Sequence, residues 1–168
     1  MKNKLVFCIV LILTIFVSGC INSPLDNINE IMPEINDQIV KGDEYYNDAI
    51  TALNSKNYAE ADTKANSASN EFRKAKDNVL ETNKYYEGLN ETIYIEYLNL
   101  LQDEINLKYN ASSNLLLASK SFNNNDITNG NNYAQIANSK MNEAINIQNE
   151  RNQIVINNPE LFKEFFHF

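Results

Sequence analysis

Between Leu25 and Leu53, apolar or small residues recur at Leu25, Ile28, Met32, Ile35, Ile39, Gly42, Tyr46, Ala49 and Leu53, in alternating steps of three and four. That spacing gathers them on one face of a helix, and such a face must be buried against a partner. After Ser55-Lys56-Asn57 the spacing resumes at Tyr58, Ala61, Ala65, Ala68, Phe72, Ala75, Val79 and Tyr86. Here the stripe is largely alanine, which lets two helices approach closely. The chain has only four glycines and three prolines in 168 residues. Few turns can be built with so little punctuation, so the chain must be organised as a few long elements. Pro33 cannot sit deep in a helix without cost, which predicts a kink there or a helix start near it.

A break at Gly88-Leu89-Asn90 follows, with Asn90 placed to cap a third helix over Glu91 to Phe122. Ile93, Tyr94, Ile95, Tyr97, Leu98, Leu100 and Leu101, and later Leu115 to Leu117, make it apolar around much of its circumference. A helix of this kind belongs in the middle of an assembly. The segment Asn123 to Gly130 reads as a loop or helix start. A fourth helix carries Tyr133, Ala137, Met141, Ala144, Ile147 and Ile154, and Asn158-Pro159-Glu160 is the start signal of a short last helix. No alternating strand pattern of useful length occurs. The sequence therefore predicts an all-α fold, a bundle of about four long antiparallel helices with a short C-terminal one. Ala65 to Glu71 and Ala137 to Glu143 share five of seven residues, each in the second helix of a predicted hairpin, so two related hairpins or a coincidence of an asparagine-rich composition both account for the echo.

Lys56-Asn57-Tyr58-Ala59-Glu60-Ala61, flanked by Ala49 and Ala68, resembles the inter-helix turn of a tetratricopeptide repeat over roughly Tyr45 to Ala68. The resemblance implies paired helices that nest through small residues at fixed offsets. The N-terminus carries a second one. Lys2 and Lys4 precede an apolar run from Leu5 to Val17 interrupted only by Thr14, which fits a signal-peptide core and falls short of the ~20 residues of a spanning helix. Val17-Ser18-Gly19-Cys20 then resembles the lipobox of prokaryotic lipoproteins, which implies cleavage before Cys20 and lipidation of its thiol. The expected organisation is a signal peptide at 1–19, the lipidated Cys20 and a tether over 20–31, and a helical bundle domain at 32–168. The expected location is the extracytoplasmic face of the cell membrane; an ordinary secretory signal or an uncleaved anchor are the alternatives.

Both cysteines lie within the first 20 residues, so packing alone must hold the bundle. Without Lys2 and Lys4, 12 basic residues face 22 acidic ones. Such a surface repels nucleic acid and anionic lipid headgroups. Catalytic groupings are scarce. His167 is the only histidine, which excludes a Ser-His-Asp triad, a Cys-His pair or a multi-histidine metal site within the chain. Asp43, Glu44 and Asp48, and Asp103 and Glu104, read as helix-surface charges rather than as a carboxylate pair for hydrolysis. An EF-hand register on Gly130 fails, because it sets Ile127 third and Ile136 last. Tyr45, Tyr46, Tyr85, Tyr86, Tyr94 and Tyr97 suit core positions better than a ligand cleft. Asn90-Glu91-Thr92 and Asn110-Ala111-Ser112 match the N-glycosylation acceptor pattern. The expectation is a non-enzymatic surface protein without cofactor, held to the membrane by its lipid and binding an envelope protein or a second copy of itself. A ligand-binding lipoprotein with a pocket between helices is the alternative.

Cys20→Ser should move the protein from the detergent phase to the aqueous phase or leave it unprocessed. An intact mass showing unmodified Cys20 in membrane-extracted wild type would refute the anchor.

Overall fold

In the computed structural model, which describes residues 23–163, four long helices and one short one run in chain order: α1 (Pro24–Asn54), α2 (Tyr58–Thr82), α3 (Thr92–Asn123), α4 (Ile127–Asn157) and α5 (Pro159–Phe162). A 3₁₀ segment, Asn83–Gly88, continues α2 towards α3, and no strand occurs among the described residues. The all-α bundle read from the sequence is the fold.

Several boundaries move. α1 begins at Pro24 and passes through Pro33 without ending. Its start is fixed by Ser23, whose Oγ accepts from the Asp26 N–H while the Asp26 carboxylate accepts from the Ser23 N–H, both orphan donors being met at once. Ile28 is fully buried. Residues 24–31, expected as tether, are therefore the first turns of the bundle, and only residues 21 and 22 separate Cys20 from the capping serine. That link spans at most ~10 Å. Asn90 lies one residue short of its expected place: Glu91 is the N-cap of α3, in an extended conformation and without a side-chain capping bond. α4 starts at Ile127, because the Asp126 carboxylate accepts from the Asn129 N–H at 3.1 Å and opens the helix there.

The buried positions keep a seven-residue repeat. On α1 the repeat runs through Ile28, Met32, Ile35, Ile39, Gly42, Tyr46 and Ala49, with Gln38 and Ala52 buried beside it; on α2, through Ala61, Ala65, Ala68, Phe72, Ala75, Val79 and Thr82. α3 carries two such stripes side by side, one through Leu98, Leu101, Ile105, Ser112 and Leu115 and one through Tyr97, Glu104, Lys108, Ala111 and Ala118. This is why α3 looks apolar all round, and it lies between α2 and α4 as its composition requires. α4 buries only Gly130, Ala137, Ala144 and Arg151, one residue per seven. Small residues bring the axes together: an added Cβ at Gly130 would stand 2.7 Å from the Phe122 ring, and one at Gly42 would run into the Phe72 ring.

The two hairpins turn the same way. Asn57 N–H donates to the Ala52 carbonyl and Asp126 N–H to that of Ser121, both at 2.9 Å, with left-handed Lys56 and Asn125 (φ 61° and 59°) at the preceding position. These are Schellman endings. The equivalence of Asn57 with Asp126 pairs Ala61, Ala68, Ala75 and Thr82 of α2 with Gly130, Ala137, Ala144 and Arg151 of α4, a different offset from that of the Ala65 and Ala137 echo.

One apolar cluster joins Ile28, Met32, Ile35, Val79, Leu98 and Leu101 at the end where α1 begins, and a second joins Ala49, Ala68, Phe72 and Leu115 at the other. α5 docks on the first. Phe162 packs edge-on to Tyr94 and tilted on Tyr97, and the Tyr94 hydroxyl donates to the Leu161 carbonyl at 2.5 Å. Cys20, Phe165, Phe166, His167 and Phe168 lie outside the described residues. Leu98→Ala should cost ~2–5 kcal/mol and Phe162→Ala ~3–5 kcal/mol in urea unfolding, since both side chains are enclosed.

Candidate functional site: a buried charged layer beneath an open seam

Between the two apolar clusters the core is ionic. Glu104 and Lys108, one turn apart on α3, occupy core positions and are 0% and 1% exposed. Arg151 of α4 reaches across: its Nε donates to Glu104 Oε2 at 2.9 Å and its Nη1 to the Tyr97 hydroxyl at 2.7 Å. Lys108 Nζ donates to Asp43 Oδ2 of α1 at 2.6 Å and lies 3.2 Å from Glu104 Oε1, an ion pair without a directed hydrogen bond. Two acids and two bases thus join three helices with no net charge.

Burial raises the Asp43 carboxyl above its ordinary 3.8, and the neighbouring Lys108 offsets this only in part. Burial likewise raises the Tyr97 phenol, with Arg151 opposing. For Arg151 burial disfavours the charge, but Tyr97 and Glu104 outweigh it and the guanidinium is held above the ordinary arginine value. Tyr46, beside Asp43, is pushed up to about 12 by burial alone.

Above this layer the bundle does not close. α1 packs on α2, α2 on α3 and α3 on α4, whereas α1 and α4 barely approach each other. The seam left between them holds a cleft of about 200 Å³ walled by Asp43, Tyr46 and Asn47 of α1 and Met141, Ile145 and Gln148 of α4, with Lys108 at its floor. Val40, Ile145 and Ile156 are large apolar side chains left 55%, 45% and 65% exposed. Two further clefts, of about 240 and 260 Å³, lie by the α1–α2 turn, walled by Asp48 and Glu60 among others, and by Pro24, Leu89 and Tyr94.

The sequence reading placed Glu104 and Asp43 on the surface. Glu104 is instead enclosed and Asp43 half-buried, because the seven-residue stripe of α3 carries Glu104 inward, and Asp43 flanks that of α1; Glu44, Asp48 and Asp103 are exposed as expected. Lys108 and Arg151 carry no motif, yet each falls in a buried stripe, Lys108 one turn after Glu104 and Arg151 in a series of otherwise small residues. Of the tyrosines, Tyr46, Tyr94 and Tyr97 are buried, while Tyr45, Tyr85 and Tyr86 are half-buried against the same clusters. Asn90 is exposed in the segment before α3; Asn110 is exposed in mid-α3, with Ser112 of its acceptor pattern buried. Both Asp126 oxygens serve Asn129 as a helix cap. Among the described residues no helix is long and apolar enough to cross a membrane.

No protein-family model matches the chain, and no curated protein or solved structure is significantly similar to it.

Arg151→Met should cost ~3–5 kcal/mol by leaving Glu104 short of a cation, and adding Glu104→Gln should recover part of the loss rather than deepen it. Asp43 gives a pH signature. Its folded pKa is raised, so the folded chain binds this proton more tightly than the unfolded one, and the group's contribution to stability rises as pH falls from neutral towards 3.8. Wild type should therefore gain melting temperature relative to Asp43→Asn over that range; a constant difference between the two would contradict the assignment.

Proposed function

We propose that the chain is a lipid-anchored, extracytoplasmic module that binds another protein and performs no chemistry. The observation that carries this reading is the unclosed seam. A helix pair left open, with Ile145 exposed at the cleft between them, is a surface that a partner would cover. The charged layer below does not argue for catalysis, since its two acids and two bases are spent on one another. The lipobox-like Cys20 and the two-residue link to Ser23 support a bundle held close to the membrane, where another envelope protein or a second copy is within reach. The tetratricopeptide-like turn agrees with an interaction role. The second reading, a small-molecule pocket, draws on the cleft over Asp43 and Lys108. At about 200 Å³ it lies below the ~300–1,000 Å³ of ordinary ligand sites.

Cross-linking intact cells with a lysine-reactive reagent should give discrete higher-mass species that contain this chain and a second envelope protein or another copy. Monomer alone at every reagent concentration would overturn the interaction role.

A further inference from the structure

We infer that Asn129 is a site of spontaneous deamidation and that Asp126, the cap of α4, holds the reaction back while the chain is folded. Asn129-Gly130 is the one Asn-Gly pair in the sequence. Asparagine is a thermolabile residue, and most so before glycine, where no side chain hinders attack by the following backbone nitrogen. In that reaction the Gly130 nitrogen gives up its proton and bonds to Asn129 Cγ, the Cγ–Nδ2 bond breaks, and ammonia leaves. The succinimide so formed takes up water and opens to aspartate or, with the backbone rerouted through the side chain, to isoaspartate. One water enters and one ammonia departs, with no oxidant or cofactor. Asn129 is exposed at the start of α4, so water reaches it.

Packing explains why so labile a pair stands here. Gly130 is buried, and the Phe122 ring it packs against stacks in turn on Tyr58, with ring centroids 5.6 Å apart. Any larger residue at position 130 would push that ring aside, so the glycine that speeds the reaction is the one the α3–α4 contact requires. The other hairpin meets the same turn differently: Leu53 stands in the place of Phe122, and Glu60-Ala61 in that of Asn129-Gly130. Two sets of hydrogen bonds oppose the reaction. Gly130 N–H donates to the Asp126 carbonyl at 2.9 Å, so the attacking nitrogen is engaged in the helix. The Asp126 carboxylate accepts from the Asn129 N–H at 3.1 Å and from its Nδ2 at 2.7 Å, which draws the side-chain amide back towards residue 126. These bonds also hold the Asp126 carboxyl below its ordinary 3.8, so it stays an acceptor. Ring closure therefore waits until the first turn of α4 opens. Isoaspartate, once formed, lengthens the main chain by one carbon inside that turn and puts Gly130 out of step with Phe122.

The test incubates the full chain in mildly alkaline buffer, folded and in urea. Peptide mapping by mass spectrometry follows the conversion of each asparagine, with isoaspartate resolved by chromatography. In urea, Asn129 should convert faster than any other asparagine. In the folded chain it should convert at least about tenfold more slowly than in urea, since the turn must open first. Asp126→Ala, an exposed change, should raise the folded rate roughly fivefold, the gain in opening that loss of one cap gives, and leave the urea rate unchanged. Asp126→Ser keeps a side-chain acceptor at the cap and should stay near wild type. Another asparagine leading in urea, equal wild-type rates in the two states, or no acceleration in folded Asp126→Ala would each overturn the proposal. So would Asp126→Ser converting as fast as the alanine variant, since the cap would then not be what holds the reaction back.

Discussion

Glu104 is a carboxylate with no access to water, and much of the bundle follows from having to satisfy it. Lys108 comes from the next turn of the same helix, but the directed hydrogen bond comes from Arg151 on α4. That bond settles how α4 lies. Gly130, Ala137 and Ala144 recur every seven residues and are nearly interchangeable as small contacts, so a slip of seven residues along α3 would change their packing little. It would bring Ala144 or Asn158 to Glu104 and leave the carboxylate without its guanidinium. Breaking a buried pair in this way costs ~3–5 kcal/mol, more than a small-residue stripe distinguishes. The charge specifies the register, and the small residues set the distance.

The same logic explains what was legible in the sequence. Helix number, the C-terminal start at Pro159 and the central place of α3 follow from three-four spacing and from Asn158-Pro159-Glu160, signals carried by consecutive residues. The charged layer is different. Glu104 and Asp103 are neighbours with the same chemistry, and only the phase of the stripe through Tyr97, Lys108, Ala111 and Ala118 separates the enclosed acid from the exposed one. Arg151 was legible in the same way, as the fourth member of a series whose first three are glycine and alanine. The open seam was not, because the pattern on α1 describes the face that is buried and carries no mark of a neighbour that stays away.

The way α1 is held follows from that asymmetry. The core between α1 and α3 is completed by Lys108 reaching Asp43, a contact across a gap that four closely packed helices would have filled with apolar side chains. α1 is thereby tied to α3 beside the cleft, while α5 packs on the apolar cluster at the end where α1 begins.

The connectivity has a consequence for how the chain reaches this state. Every large interface joins helices that follow one another, α1 to α2, α2 to α3 and α3 to α4, and each hairpin closes through the same compact turn. Contacts that close over short stretches of chain cost little loop entropy and form quickly. None of the four long helices has to wait for a distant helix to form its main interface, so the bundle can accrete one helix at a time while its remainder is still unfolded. For a polypeptide made from its N-terminus onwards, α1 and α2 can form a nucleus against which each later helix condenses.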